Sequence, residues 1–168
     1  MIENPPPDEY PEDVIDYIKK GLDLPYIYIA GKFSSRRRIR PYRQELINKG
    51  YKVLSNWMVN DPDVDPSAEI DSLGANLEDC QFIAERDHAE VKQCDIFIID
   101  TNDISSTGGR EVELGYATAL EKTIIRVGPI RNVFHAMIFH VCNDWPAVIR
   151  YLDCWHDRNQ EVENAHKG

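Results

Sequence analysis

Two glutamates, Glu111 and Glu113, lie two residues apart in the stretch "SSTGGREVELGYA". The glycines before them leave backbone N–H groups free at the start of a predicted helix, where the helix dipole favours an anion. On a helix the two glutamates point about 200° apart, so at most one can face a given crevice. Glu113 shares its face with three residues, at i+3, i+4 and i+7: Tyr116, Ala117 and Leu120. We expect this partly apolar face to turn inward and Glu111 to turn to solvent or to an edge.

A glutamate on a packed helix face is costly unless it is paired or used. A carboxylate at the edge of a hydroxyl-lined crevice suits glycosyl chemistry, in which one carboxylate attacks the anomeric carbon and an acid acts near the leaving group. Asp87, on a predicted helix, and Asp103, in a predicted loop, are candidates for the second role. The alternative is that both glutamates only complement the helix dipole in a first turn. This alternative suits Glu111 better than Glu113.

A basic segment, "SSRRRIR" at residues 34–40, stands out in a chain of net charge −10. Proteins that bind nucleic-acid polymers neutralise phosphates with Lys and Arg, so the acidic balance disfavours a polymer partner. Three consecutive arginines fit a small anion such as phosphate, whose geometry the guanidinium group matches. The alternative is a solvated helix face, and charge alone does not decide between the two.

Several other site types are disfavoured. The four cysteines form no C-x-x-C pair, so a zinc or redox motif is not expected and the cysteines are predicted to be reduced and structural. The chain contains no P-loop, no dinucleotide-binding glycine motif and no G-x-S-x-G elbow. We therefore expect neither a metal nor an organic cofactor.

The chain also lacks a run of about 18 apolar residues, so no membrane span is predicted. Its N-terminus, "MIENPPPDEYPED", is acidic and proline-rich, the opposite of a signal peptide. A cytoplasmic location is therefore expected.

The elements that must position these residues alternate between apolar strands and helices. Strands are predicted at residues 25–31, 51–57, 95–100, 123–128 and near 138–142, and helices at 35–48, 78–93, 110–121 and from 144 onward. This alternation predicts a doubly wound α/β fold, flavodoxin- or Rossmann-like, with about five mostly parallel strands flanked by helices. Ligands bind such sheets beyond the carboxyl ends of the strands. That rule places four parts of the chain around one crevice: residues 31–38, Trp57, residues 100–109 and residues 128–132.

Two domain-level segments are predicted. Residues 1–24 form an N-terminal helical extension, because apolar residues at helical spacing follow a proline-rich start. Residues 25–168 form the α/β domain, which carries an acidic insertion at 60–79 whose role the sequence leaves open.

At its candidate site the sequence resembles the nucleoside 2-deoxyribosyltransferase superfamily, which also contains the 2'-deoxynucleoside 5'-phosphate N-hydrolases. The strand end "YIAG", Tyr28–Gly31, matches the opening motif of the family, and "ELGYA", Glu113–Ala117, matches its most specific signature. Asp87 matches an acid on the helix before the strand that begins at "CDI". The resemblance covers residues 25–129.

The resemblance implies that Glu113 is a nucleophile that forms a covalent glycosyl-enzyme. It also implies that Asp87 positions the substrate or handles the proton on the leaving base, and that Tyr28 lies against the sugar and Glu113. In the 5'-phosphate hydrolases the loop after the first strand and the serines before the glutamate hold the phosphate. The predicted substrate- or phosphate-binding residues are Gly31, Ser34, Arg36, Arg37, Arg38, Trp57, Asp103, Ser105, Ser106, Thr107, Gly108 and Gly109.

Members of the family are commonly homo-oligomers in which a neighbouring subunit completes the site, and Asn132 and His135 are candidates for such a contribution. The predicted function is cleavage of the N-glycosidic bond of a (2'-deoxy)nucleoside or, favoured by the arginines, its 5'-monophosphate. A non-catalytic nucleotide sensor with the same crevice is the alternative, and a structural protein with a solvated basic face is a third. The base, the sugar's 2'-substituent, the choice between water and a second base as acceptor, and the 5'-phosphate requirement stay open.

Overall fold

A computed structural model of the protein describes residues 24–59, 77–104 and 108–154. Nearly all of the predicted N-terminal extension, most of the acidic insertion and the predicted site residues Ser105, Ser106 and Thr107 lie outside the described residues. The division into an extension and one domain therefore stays a prediction.

Five strands form one sheet in the order β2-β1-β3-β4-β5, and every neighbouring pair is parallel. They are β1 (Tyr26–Ala30), β2 (Lys52–Val53), β3 (Ile96–Asp100), β4 (Thr123–Val127) and β5 (His140–Cys142). The predicted doubly wound fold is thus confirmed. Strand β2 is shorter than predicted because the N–H of Ile29 donates to the side-chain Oγ of Ser55, which ends the backbone ladder there.

Three helices lie between strands and a fourth follows β5, as the sequence predicts. They are α1 (Arg36–Asn48), α2 (Leu77–Gln93), α3 (Gly109–Ala119) and α4, which covers residues 145–154 of the described chain. Two short 3₁₀ helices, Phe33–Ser35 and Val133–Met137, were not predicted. The second one begins at Asn132, whose side-chain oxygen accepts bonds from the backbone N–H groups of Phe134 and His135. Such a cap is a local feature that hydrophobic periodicity does not report.

The sheet order explains where a ligand site can form. Every residue of β3 is buried, as expected for the central strand of a parallel sheet covered on both faces. From β1 the chain moves to β2 on one side and later to β3 on the other, so the strand order reverses between β1 and β3. A crevice opens at the carboxyl ends of strands at such a switch point. Residues 31–35 follow β1, and residues 101–104 follow β3.

No helix in the described ranges is both long and apolar enough to cross a membrane. All four cysteines are free thiols, and two of them, Cys94 and Cys142, are buried. The cytoplasmic location stays a prediction.

Candidate active site

A hydrogen bond joins strand β1 to helix α3 at the candidate site. The hydroxyl of Tyr28, which is fully buried, donates to Oε1 of Glu113 at 2.8 Å. The ring of Tyr28 stacks on Phe97 of the neighbouring strand, with 5.7 Å between ring centroids, and this packing fixes its direction. Burial, and then the charge of Glu113, raise the pKa of Tyr28 well above its usual value, so the phenol stays a neutral donor. The predicted proximity of Tyr28 and Glu113 is therefore present in the structure.

Glu113 is partly buried, and its surroundings favour the neutral acid. Burial raises the pKa of this carboxyl to about 8, and the charge of Asp87 adds to the shift. The hydrogen bond from Tyr28 acts in the opposite direction because it favours the ionised form. A glutamate whose pKa lies this close to neutrality can change its charge during a reaction, unlike an ordinary first-turn acid.

Helix α2 brings two more carboxylates toward Glu113. Nε and Nη2 of Arg86 donate to Oδ1 of Asp87, at 3.1 and 2.8 Å. Glu90 is buried and accepts bonds from the backbone N–H and the side-chain amide of Asn56, at 3.2 and 2.6 Å. The charges of Asp87 and Glu90 both raise the pKa of Glu113, so the two acids lie within electrostatic reach of it.

Glu90 was not predicted from the sequence. It follows Asp87 by three residues, and residues at that spacing share a helix face. That spacing is the signal that would have identified it, although nothing in the sequence points to its partner Asn56.

The three consecutive arginines do not converge on one point. The guanidinium of Arg36 is buried 4.3 Å above the ring of Phe33, and its Nη1 donates to the carbonyl of the same residue. Arg37 is exposed. Arg38 donates two bonds to Asp100, at 2.9 and 3.1 Å, and one to Asp103, at 2.8 Å. A helix separates adjacent side chains by about 100°, which explains why the run forms no single cation cluster.

Asp103 receives one bond from the loop after β1 and one from the first turn of α1. Its Oδ2 accepts from the hydroxyl of Ser35 and from Arg38, and these bonds lower the pKa of Asp103. Ser34, the predicted binding residue, is exposed, whereas Ser35 is buried and makes this contact. The backbone of the β3 loop is held independently, because Nη1 of Arg110 donates to the carbonyls of Asp100 and Asp103 at 2.9 and 3.0 Å.

A side chain would be crowded at Gly31, where β1 ends. A Cβ atom on Gly31 would lie 2.8 Å from Cδ1 of Ile39 and 3.6 Å from the ring of Trp57. Trp57 is itself buried and donates its indole N–H to the carbonyl of Ile29 at 2.7 Å, and this bond holds its ring close to Gly31. At the other loop Gly108, with a φ of +77°, precedes Gly109, the first residue of α3.

Glu111 lies in the first turn of α3, as predicted, but it is held by the protein and does not simply face solvent. One of its oxygens accepts from Arg110, and the other bonds with His135 at 2.8 Å and Asn132 at 3.0 Å. His135 is fully buried, and its Nδ1 accepts from the backbone N–H of Arg131, so Nε2 carries the proton that is donated to Glu111. Burial acts to raise the pKa of Glu111, but these bonds outweigh it and hold the pKa below its usual value.

Asn132 and His135 are therefore engaged by Glu111 of their own chain. Within the described parts of the chain, no group of three or more His, Cys, Asp or Glu side chains is placed to hold a metal ion.

The fold and the site define a doubly wound α/β protein with a carboxylate–tyrosine pair beside the switch point of its sheet. Residues 27–165 match the family model described as nucleoside 2-deoxyribosyltransferase, and the chain belongs to this family. The resemblance predicted from the "YIAG" and "ELGYA" segments is thus confirmed.

Two solved structures are similar to this chain. One is a 2-deoxyribosyltransferase from Bacillus psychrosaccharolyticus, with 25% identity and a TM-score of 0.57, aligned over 73% of this chain and 89% of that one. The other is the CMP N-glycosidase of Clostridium botulinum, with 20% identity and a TM-score of 0.48, aligned over 76% of this chain and 98% of that one. Among curated proteins, none matches the chain.

Proposed function

We propose that the protein cleaves the N-glycosidic bond of (2'-deoxy)nucleosides or their 5'-monophosphates through a covalent glycosyl-Glu113 intermediate. The observation that carries the proposal is the 2.8 Å bond from the Tyr28 hydroxyl to the Glu113 carboxyl. It directs one oxygen of Glu113 toward the phenol and leaves the other to attack. The family to which the chain belongs supports the choice of substrate class.

The proposed reaction has two balanced steps. In the first, ionised Glu113 attacks the anomeric carbon, the bond from that carbon to the base nitrogen breaks, and its electron pair leaves with the base, which takes up a proton. In the second, water or another base attacks the same carbon, the bond from that carbon to Glu113 breaks and releases the carboxylate, and the attacking group gives up a proton that replaces the one taken up by the leaving base. Asp87 orients the substrate or passes the proton to the leaving base. Tyr28 keeps the Glu113 carboxyl in place throughout.

The nucleophile must be ionised, and this requirement predicts a pH dependence. With a pKa of about 8, only roughly a tenth of Glu113 is ionised at pH 7 in the free protein. We expect kcat/KM to rise with pH up to the Glu113 pKa, because kcat/KM reports the ionisation of the free enzyme.

The decisive experiment measures base release from a panel of deoxynucleosides and their 5'-monophosphates by chromatography. Glu113→Gln and Glu113→Ala should abolish release, and intact mass spectrometry of the wild type should detect a glycosyl adduct that both variants lack. Glu121→Gln, an exposed glutamate just beyond the same helix, is the matched control and should retain full activity. Undiminished base release by Glu113→Ala would contradict the proposal.

The same panel separates the remaining alternatives. Incorporation of an added free base into new nucleoside identifies a transferase, and its absence with continued base release identifies a hydrolase. The sensor alternative predicts ligand-induced thermal stabilisation without any product.

We also propose that the protein is a homo-oligomer whose subunits meet at an apolar groove of about 550 Å³ beside α3. Its apolar lining includes Leu114, Ile124, Phe134, Met137, Ile138 and Phe139. Phe134, Met137 and Phe139 are 67%, 63% and 93% exposed. Together they leave roughly 450 Å² uncovered, about the apolar share of one side of a standard interface.

Light scattering coupled to size exclusion tests this assembly. We expect the wild type to be a dimer or larger and Phe139→Glu to be monomeric. Phe82→Glu, on the exposed surface of α2, should leave the assembly intact. A wild-type monomer at all concentrations would contradict the assembly but not the proposed reaction.

A further inference from the structure

Glu90 is a buried acid on helix α2 that the proposed reaction does not use. It follows Asp87 by three residues, and residues at that spacing share a helix face. Only 8% of the residue is exposed. One carboxylate oxygen accepts from the backbone N–H of Asn56, and the other accepts from the side-chain amide of the same residue. Two N–H donors, one on each oxygen, stabilise the ionised form of a carboxylate. A buried charge is costly, so its presence beside the site calls for an explanation.

Two arginines lie within electrostatic reach of Glu90. Arg86, on the same helix, directs two donors at Asp87, at 3.1 and 2.8 Å, and its Nε lies 3.9 Å from Oε1 of Glu90. Burial lowers the pKa of Arg43 on helix α1, and the charge of Glu90 opposes this shift. The bond from the side-chain amide of Asn56, at 2.6 Å, is much shorter than the distance to Arg86. Asn56 therefore fixes where the charge of Glu90 lies.

Asn56 also links Glu90 to the end of strand β1. The residue before it, Ser55, is fully buried, and its Oγ accepts the backbone N–H of Ile29. Ile29 directly follows Tyr28 along the chain. Hydrogen bonds therefore connect the carboxylate of Glu90, through the loop after β2, to the backbone beside the tyrosine of the candidate site. A displacement of this loop would be passed to the end of β1.

Helix α2 packs directly against helix α3, which carries Glu113. The rings of His88 on α2 and Tyr116 on α3 lie 4.9 Å apart between their centroids. Tyr116 follows Glu113 by three residues and shares its helix face. The turn of α2 that carries Asp87 and Glu90 therefore lies beside the turn of α3 that carries Glu113.

Charges from both helices act on Glu113. Burial and then the charge of Asp87 raise its pKa most, and the charge of Glu90 raises it further. The bond from Tyr28 and the charge of Arg110 lower it. The charge of Glu90 also adds to the raised pKa of Tyr28, after burial and the charges of Glu113 and Asp87. Two negative charges thus oppose the ionisation of the carboxyl group that must attack.

We propose that Glu90 is a positioning residue, which holds the loop after β2 against the end of β1 and keeps a fixed negative charge beside the Tyr28–Glu113 pair. This inference rests on the proposed function, in which ionised Glu113 attacks the anomeric carbon. The fixed charge repels ionised Glu113, and the repulsion ends once Glu113 is bonded to the sugar and carries no charge. The same charge favours the positive charge that develops on the sugar in the transition state. Glu90 thus promotes formation of the bond to Glu113 without touching the substrate.

Two substitutions separate the charge of Glu90 from its contact with the loop. Glu90→Gln removes the charge at nearly constant size. Asn56→Ala removes the side-chain donor but keeps the charge of Glu90 and the bond from the backbone N–H. The matched control is Glu85→Gln, because Glu85 is an exposed glutamate of the same helix that accepts from Gln81. Thermal melts check that all three variants are folded.

The first measurement is the pH dependence of kcat/KM for base release. In Glu90→Gln the acidic limb should move to lower pH by about 0.5–1.5 units, because one of the charges that oppose ionisation of Glu113 is gone. The limiting value of kcat/KM above this limb should fall at least about 3-fold, because the repulsion relieved by bond formation is lost. Asn56→Ala should lower the limiting value without moving the limb to lower pH, and Glu85→Gln should change neither quantity.

The ionisation of Glu113 can also be measured without substrate. Infrared difference spectra over a pH series follow the C=O band of the protonated Glu113 carboxyl, which is identified by its absence in Glu113→Gln. The midpoint of this titration should fall by the same amount in Glu90→Gln, and neither Asn56→Ala nor Glu85→Gln should lower it.

The two measurements distinguish failure of the inference from failure of the proposed function. If no substrate releases its base, the proposed reaction is refuted, while the infrared midpoint still tests the effect of Glu90. The role of Glu90 is overturned if the midpoint in Glu90→Gln is unchanged or higher. It is also overturned if Asn56→Ala lowers the midpoint as much as Glu90→Gln does, because the contact and not the charge would then be responsible.

Discussion

Glu113 should make the protein less stable as the pH rises, and replacing it by glutamine should remove this loss. Its pKa is raised from an ordinary value of 4.5 to about 8. Between these two pH values the folded protein keeps a proton that the unfolded chain has lost. The free energy of unfolding therefore falls as the pH rises from about 4.5 to about 8, and it is affected no further above that range.

The size of this effect follows from the shift. At 1.36 kcal/mol per pKa unit, a shift from 4.5 to about 8 corresponds to about 5 kcal/mol. We expect roughly 2–5 kcal/mol, because Glu113 is only partly buried and solvent moderates the shift. Glutamine has nearly the same shape and cannot ionise. Glu113→Gln should therefore match the wild type near pH 5 and exceed it by this amount at pH 9.

Urea unfolding followed by circular dichroism at pH 5, 7 and 9 measures the difference. Glu111→Gln is the matched control with the opposite sign, because the pKa of Glu111 is held below its usual value by hydrogen bonds from Arg110, His135 and Asn132. Glu111 stabilises the fold above the pKa of its unfolded form, and this contribution is lost as the pH falls through its folded pKa. Glu111→Gln should thus be less stable than the wild type at pH 7. A Glu113→Gln difference that stays constant from pH 5 to pH 9, or that changes sign, would refute the reasoning.

Two further perturbations follow from the site. Tyr28→Phe removes the donor that favours ionised Glu113, so it should raise the pKa on the acidic limb of the kcat/KM profile by about 1–2 units and lower activity at pH 7 about 10- to 100-fold. The control is Tyr26→Phe, because the hydroxyl of Tyr26 contacts Lys52 at the exposed side of the same strand, and this variant should change neither quantity. An unchanged pKa on the acidic limb in Tyr28→Phe would contradict the role assigned to Tyr28. Gly31→Ala should cost about 1–3 kcal/mol in chemical denaturation, because its Cβ would lie 2.8 Å from Ile39. The control is Gly115→Ala in helix α3, where the added Cβ would meet nothing within 4 Å, and its stability should be unchanged or higher. Equal losses of stability in Gly31→Ala and Gly115→Ala would contradict local crowding as the cause.

The elements that form the site could be predicted because each has a strong local pattern. Four strands are apolar runs that end near glycine, asparagine or aspartate, and a parallel sheet brings the ends of β1 and β3 to one edge. The proximity of Glu113 to Tyr28 was implied by the family resemblance. Helical spacing alone separated Glu113 from Glu111 and predicted that Glu113 turns inward. These inferences need only the nearest ten residues of sequence and one rule about sheets.

The contacts that the sequence did not predict are those between residues far apart along the chain. Arg38 and Asp103 are 65 residues apart, and nothing local reveals that the aspartate takes one of the arginine's donors. The same holds for Glu90 and Asn56, which are 34 residues apart. The sequence shows the charge of a side chain but not its partner. We therefore expected more free positive charge at the site than the structure has. The bonds that hold Glu111 were not predicted for the same reason, since its partners His135 and Asn132 belong to a short capped helix with no periodic signal.

The contact between Trp145 and Asp100 has an optical consequence. The indole of Trp145 is 2% exposed, stacks on Tyr42 with 5.2 Å between ring centroids, and shares the carboxylate of Asp100 with Arg38. Any ligand that draws Arg38 away changes the electric field at this indole, whose emission wavelength responds to such fields. Trp145 is therefore an intrinsic fluorophore coupled to the Arg38–Asp100 ion pair. Binding of such a ligand should be detectable as a shift in the emission wavelength of Trp145, without a label and without turnover.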